Sequence, residues 1–291
     1  MRLVKFRFAS TIFISIIFPL AVFSATIRDD VPDSDYVALG NNPAFDAVGT
    51  FVNSWGYTGC ATLIAPDWIL TAAHLLVAAS SGTFTIDGTA YTSDKLISNP
   101  GWDNNAFDGS DFALVHLSSS VTAIPPAMLY TGTSIFGQVG TFVGYGFTGT
   151  GLTGWKTLDG QKRAFQNVID GDMGNPSSVL LADFDNPHSS SGNNFGDATP
   201  LPLEGCVAPG DSGGGVFVMV GSQYYLAGVT SFVASTNGNA NSSYGNVSGF
   251  DPVSSVMPWI TATVPEPSAL ALIGAAGLAL FVQKIFWRAK K

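Results

Sequence analysis

Positive charge is almost missing from the middle of this chain. Between Ala25 and Val264 the only basic residues are Arg28, Lys95, Lys156, Lys162 and Arg163, against twenty acidic ones in the same span. A body this acidic repels phosphate backbones, which argues against nucleic acid as a partner. Charge of either sign is scarce, at 11%, while 46% of the 291 residues are hydrophobic. A large core can form, and the surface is polar rather than ionic. Histidine is equally rare: His74, His116 and His188 are the whole set. They lie far apart, without i, i+4 spacing or a clear third ligand, so no metal site is expected. No cofactor is expected either. Internal repeats at solenoid periods are absent.

What the chain does have begins at its ends. "MRLVKFRFASTIFISIIFPLAVFSA" opens with Arg2, Lys5 and Arg7, runs apolar from Ile12 to Phe23, and closes on small residues. This is the pattern of a secretory signal peptide, assigned to residues 1–25. At the other end, "VPEPSALALIGAAGLALFVQKIFWRAKK" (264–291) is extended over its prolines, then apolar from Ser268 to Val282, then basic. At ~1.5 Å per residue the apolar run spans only ~22 Å, short of a ~30 Å hydrocarbon layer. It reads as a weak inner-membrane anchor with its basic end in the cytoplasm. The order Pro-Glu-Pro, apolar helix, basic cluster resembles the PEP-CTERM sorting signal of Gram-negative bacteria. That resemblance implies processing by an exosortase-type peptidase and delivery to the periplasm, cell surface or extracellular matrix. Plain permanent anchoring is the alternative.

Between the ends, residues 26–263 form one expected domain. Short β-type runs recur with Gly, Asn, Ser and Pro between them: "AVGTFVN", "GCATLIA", "WILTAA", "DFALVHL", "VGTFVGYG", "SVLLADF", "GGVFVMV", "YYLAGVTSFV". Such punctuation predicts an all-β barrel or sandwich. "DPVSSVMPWITATV" is the best candidate for a short C-terminal helix. "GYGFTGTG" satisfies G-x-G-x-x-G, but a dinucleotide site needs a helix opening there, and this stretch is too rich in glycine for one.

"GCVAPGDSGGGVFV" (205–218) sets Asp211 and Ser212 among five glycines. A serine hydroxyl is a poor nucleophile until an imidazole takes its proton and a carboxylate orients that imidazole. The stretch also fits G-x-S-x-G, the nucleophile elbow of α/β-hydrolases, but there the histidine follows the serine. All three histidines precede Ser212, so that reading fails. The order His, Asp, Ser remains. His74 follows a strand in "TLIAPDWILTAAHLL", and Asp111 opens one in "SDFALVHL". His116 reads as a strand residue and His188 as a loop residue.

Together with "GDSGGG", these motifs resemble the chymotrypsin/trypsin-like serine peptidase family over about Val48 to Ile260. "GTFVGYG", "LAGVTSFV" and "DPVSSVMPWI" match its interior strand, substrate-pairing strand and terminal helix. The resemblance implies an all-β fold of two six-stranded antiparallel β-barrels with a short C-terminal helix, and a peptidase acting on polypeptide. His74 would be general base then acid, Asp111 its orienting partner, and Ser212 the nucleophile. The N–H groups of Gly210 and Ser212 would form an oxyanion hole. Cys206, Ser231, Phe232, Val233 and Ser248 would surround the primary substrate pocket, where no acid is available to pair an Arg or Lys side chain. A non-catalytic surface or matrix-binding protein on the same scaffold is the rival reading, and an esterase the third.

The chain departs from that family pattern in two places. Leu75 stands where a bridged cysteine is usual, leaving Cys60 and Cys206 as a candidate disulfide, with two buried thiols as the alternative. In the family, the carboxylate at Asp211 is buried against a new N-terminal ammonium, yet no Ile-Val-Gly-Gly start is present. Trimming to Ile27 during export processing is the expected substitute, with pairing of Asp211 to an internal side chain as the alternative.

Overall fold

A computed structural model of the chain describes residues 25–174, 179–235 and 238–265. Residues 1–24 of the leader expected over 1–25, and the apolar tail after Pro265, lie outside them. Among the described residues no helix is long and apolar enough to cross a membrane.

In chain order the elements are β1 (Ala25–Ile27), α1 (Asp33–Gly40), β2 (Val48–Asn53), β3 (Thr58–Ala65), β4 (Trp68–Thr71), β5 (Gly82–Ile86), β6 (Thr89–Ser98) and β7 (Ala113–Leu117). The second half contains β8 (Val139–Gly144), β9 (Thr148–Thr150), β10 (Gly154–Thr157), β11 (Arg163–Val168), β12 (Gly171–Asp172), β13 (Leu180–Asp183), β14 (Gly205–Cys206), β15 (Gly215–Val220), β16 (Gln223–Ser235), β17 (Asn246–Pro252) and α2 (Met257–Thr263). Strands β2, β3, β4, β7, β6 and β5 close into a six-stranded barrel. Period-two alternation aims Phe51, Leu63, Leu70, Phe84, Ile86 and Leu114 into its core, all of them buried.

The second half differs from the expected six-stranded barrel. Seven strands hydrogen-bond in the order β11-β8-β15-β16-β17-β13-β12, and a separate four-stranded sheet runs β10-β9-β1-β14. Asn167 Nδ2 donates to the carbonyls of Asp183 (2.5 Å) and Gly205 (3.3 Å), so a side chain ties β11 to β13 where the backbone ladder stops. The glycine-rich stretch discarded above as a dinucleotide loop is strand β9 and its flanks, as its composition suggested.

One core serves both halves. Phe45, just before β2, packs its ring 5.1 Å from Phe217 of β15 and 4.8 Å from Tyr224 of β16. Val256 and Ile260 of the C-terminal segment join the same apolar cluster as the barrel residues. The α1 helix has no counterpart in the sequence reading, because "DSDYVALG" lacks an apolar stripe. It is held instead by Arg163, wholly buried, whose guanidinium donates to both oxygens of Asp33 at 2.7 Å and to Asp159 at 3.0 Å.

Two other features bear on function. Strand β1 is buried at every residue and lies inside its sheet, parallel to β9 and antiparallel to β14. Thr26 faces Cys206 and Ile27 faces Gly205, so trimming to Ile27 would remove two of the three residues of the strand. Elsewhere, Asp170, Asp183, Asp185 and Glu204 gather where β11, β13 and the 185–204 loop meet, with no basic residue against them among the described residues. Burial pushes Asp170 up to about 6, Asp185 to about 7 and Glu204 to about 8.

Candidate active site

His74 lies on a single turn, Ala73–Leu76, that leaves the end of β4. Asn53 fixes the turn by donating from Nδ2 to Leu75 O at 2.8 Å. Asp111 stands two residues before the start of β7 and is fully buried. Its Oδ1 accepts the backbone N–H of His74 at 2.8 Å, and its Oδ2 lies 2.7 Å from His74 Nδ1. Ser231 Oγ donates to the same Oδ2 at 2.5 Å. A carboxylate can only accept, so the neutral ring carries its proton on Nδ1 and leaves Nε2 as a free base. The imidazole side chain is 30% exposed, enough for that nitrogen to meet a substrate.

Ser212 sits in a tight turn between β14 and β15. Its carbonyl accepts from Cys60 N at 2.7 Å, and the next residue donates from Gly213 N to Thr230 O at 2.8 Å. Gly213 has φ +81, and a Cβ there would meet Cys60 O and Thr71 Oγ1 at 2.2 Å. Only glycine allows the serine loop to lie this close to the chain that leads into His74. Two ties therefore link the segments that carry the three residues: Thr71 and Ala72 lead to His74, while Thr230 leads to Ser231, which bonds Asp111. Among the described residues no hydrogen bond joins His74 Nε2 to Ser212 Oγ. Such contacts are often long without substrate.

Backbone donors around the serine alternate between used and free. Asp211 N donates to Ala208 O (3.0 Å), Gly213 N to Thr230 O, and Gly214 N to Asp211 O (2.8 Å). Among the described residues, Gly210 N–H and Ser212 N–H donate to no protein group. Gly210 has φ +91, the left-handed conformation that turns its N–H out of the loop. Asp211 points the other way: its Oδ1 accepts from Gly146 N at 2.8 Å and its Oδ2 from Ala208 N at 2.9 Å. A Cβ at Gly144 would fall 2.2 Å from Asp211 Oδ1, which accounts for the glycines of "GYG".

A pocket of about 140 Å³ opens beside Ser212, lined by Val207, Ala208, Pro209, Thr230, Ser231, Phe232 and Val233. Phe107 from the 99–110 loop packs on Phe232, ring centroids 4.6 Å apart. Of the residues expected there, Ser231, Phe232 and Val233 line it. Cys206 and Ser248 do not: both are fully buried behind the wall, where Val207 N donates to Ser248 Oγ at 3.1 Å and Ser248 Oγ lies 3.5 Å from Cys206 Sγ. The Cys60–Cys206 bridge does not form. Cys60 Sγ bonds instead to Gly210 O at 3.2 Å and accepts from Tyr145 N, and both thiols are free. Burial raises each; Cys206 is pushed up to about 12, and both remain neutral.

Asp251 went unnoticed in the sequence, where "GFDPV" looks like any strand end. It is fully buried beneath Asp111, and its Oδ2 accepts Asp111 N at 2.8 Å. His116 and His188 lie elsewhere: the first bonds Asp94 at 2.6 Å on the barrel surface, the second reaches Asp29 at 3.0 Å. No three His, Cys, Asp or Glu residues gather to hold a metal ion among the described residues.

Comparison with known proteins gives a consistent set of similarities. A family model described as Trypsin matches residues 42–260, and one described as PEP-CTERM protein-sorting motif matches residues 263–291. Chymotrypsin-like elastase family member 1 from Macaca fascicularis is 31% identical over 233 residues, covering 72% of this chain and 80% of that protein. The Bos taurus protein of the same name is 29% identical over 230 residues, covering 72% and 79%. The solved structure of HL collagenase aligns with a TM-score of 0.55 at 22% identity, over 75% of this chain and 93% of that one, a likeness of fold.

Proposed function

The chain belongs to the trypsin family of serine endopeptidases, and from that premise we propose that it hydrolyses peptide bonds through His74, Asp111 and Ser212. Ser212 Oγ attacks the scissile carbonyl while His74 Nε2 takes its proton. Asp111 holds the ring by Nδ1 and stabilises the imidazolium. The free N–H groups of Gly210 and Ser212 receive the oxyanion as it develops. His74 then gives its proton to the leaving amine, and water, activated by the same nitrogen, releases the acyl group from Ser212. The observation that carries this reading is the pair of unused N–H groups beside a serine whose loop is packed against the Thr71–Ala72 segment that leads into a carboxylate-bound imidazole.

Ser212→Ala is the direct test. A fluorophosphonate probe labels the wild-type protein on Ser212, and the variant neither labels nor turns over peptide, with kcat down by at least roughly 10⁴-fold. Peptide turnover that survives the substitution refutes the assignment. A wild-type protein that binds peptide yet never reacts with the probe favours a binding protein on the same scaffold.

The primary pocket supports cleavage after small or medium apolar side chains. Its lining contains no carboxylate to pair an Arg or Lys side chain, and Val233 narrows it. The sorting motif at residues 263–291 supports export in a Gram-negative bacterium, with the periplasm, cell surface or extracellular matrix as destination. Signal peptidase and an exosortase-type enzyme are then the processing partners, and the tail holds the protein at the inner membrane until it is cut.

Leader removal belongs to the same proposal, and the expected terminus moves from Ile27 to Ala25. Ala25 is buried, has φ +63, and lines a narrow cavity together with Asp211, Phe142 and Phe165. A positive φ is a strain for alanine only while a preceding carbonyl exists. Cleavage of the Ser24–Ala25 bond removes that carbonyl and leaves an α-ammonium facing the cavity of the Asp211 carboxylate. Small or β-branched residues then occupy the positions that signal peptidase reads, Ser24 and Val22. Cleavage one residue later would place Phe23 there.

A further inference from the structure

We infer that Asp251 is a positioning residue for the active site, fixing Asp111 from beneath through its backbone amide. The inference rests on the peptidase reading above and adds a fourth carboxyl-linked contact to it. Asp111 spends its own carboxylate on three partners, namely His74 N, His74 Nδ1 and Ser231 Oγ. Those bonds set the ring only if the Asp111 backbone is itself fixed. Its N–H lies before the first residue of β7 and finds its partner in a side chain 140 residues later, Asp251 Oδ2 at 2.8 Å.

Asp251 is an unusual choice for a simple acceptor. It lies in β17 opposite Val229 of β16, is fully buried, and its Oδ1 has no hydrogen-bond partner among the described residues. The ionisable groups facing it are Asp111 and Asp108, both acidic, and its cross-strand neighbour Val229 carries none. Beyond Asp111 stands His74. Among the described residues no cation is near: Arg28, Lys162 and Arg163 are paired with Asp30, Asp46 and Asp33, and Lys95 and Lys156 are exposed. Burial and the two acidic neighbours push Asp251 up to about 8. Around neutral pH it is therefore a carboxylic acid that can accept from Asp111 N without adding a second negative charge to the stack. Above that range it ionises, repels Asp111, and loosens the arrangement it otherwise holds.

Two variants separate positioning from mere support. Asp251→Ala leaves the Asp111 N–H buried and unpaired; kcat at pH 7 should fall roughly 10- to 100-fold with KM nearly unchanged. Asp251→Asn keeps an acceptor that cannot ionise. It should restore kcat to within about threefold and abolish the fall in kcat centred near pH 8 in the wild-type profile. The low-field proton resonance of His74 Nδ1–H reads the same orientation without turnover: present in wild type and Asp251→Asn, lost or broadened in Asp251→Ala. Equal kcat and resonance in all three proteins would overturn the inference, as would an alkaline fall unchanged in Asp251→Asn. The expected resonance pattern in a protein that turns over no peptide would leave Asp251 in its role and sink the peptidase reading instead.

Discussion

On the proposed reading Val233 sets the width of the pocket beside Ser212, and its effect can be isolated because no charged residue lines that pocket. Val233→Gly removes three carbons from the wall. The ratio of kcat/KM for substrates with a large apolar side chain over those with alanine should rise roughly 10- to 100-fold, measured with matched peptide substrates. Cleavage strictly after Arg or Lys by the wild-type protein would contradict the proposed preference. At this scale the sequence was most informative about residues whose chemistry sits inside a local motif. His74, Asp111 and Ser212 each stood beside a recognisable strand or turn. Ser231 was placed near the pocket but not as a donor to Asp111, and Asp251 was invisible. Both depend on pairing across distant strands, which local spacing does not encode. Cys60 was left open between a bridge to Cys206 and a buried thiol for the same reason: its partner, the Gly210 carbonyl, is known only once the loop is folded.

Strand β1 shows what an element of three residues can control. It is held on both sides, its first residue lies in a cavity with Asp211, and every one of its side chains is buried. Intact mass of the exported protein should give Ala25 as the first residue. Inserting an enteropeptidase site, Asp-Asp-Asp-Asp-Lys, between Ser24 and Ala25 should leave export intact and lower peptide turnover by roughly 10²-fold or more, since the buried carboxylate loses its ammonium. Cutting at the inserted lysine should restore turnover. Full activity before the cut would overturn the proposal. The longer strands were legible from alternation and turn residues, as was α2 from "DPVSSVMPWI". Helix α1 was not, because its stability comes from the Arg163–Asp33 pair rather than from an apolar stripe. Nor was the seven-strand order of the second half, since alternation reveals a strand but not its neighbours.

For the molecule as a whole, buried and half-buried acids with no cation beside them among the described residues set the response to pH. Asp170, Asp185, Glu204 and Asp251 are all raised, to between about 6 and about 8. The folded protein therefore retains protons that the unfolded chain has released above about pH 4. Its stability from these groups is greatest below that point and is lost as pH climbs through about 6 to 8. Asp30, held down by its hydrogen bond to Arg28, acts in the opposite direction but is largely exposed and counts for little. The melting temperature at pH 5.5 should exceed that at pH 8.5 by about 5 °C or more, read by scanning calorimetry. A protein equally stable at both values would show that these carboxyls are not shielded as described.

The last turn of α2 closes on Ile260, whose side chain is anchored in the core shared by both halves, and Val264 N caps that turn by bonding back to Ile260 O at 2.8 Å. Every strand of both halves, and the Ile260 anchor, thus precedes residue 263, where the PEP-CTERM match begins. On the proposed reading, a chain cut within that segment keeps the same candidate catalytic residues as one that still carries it.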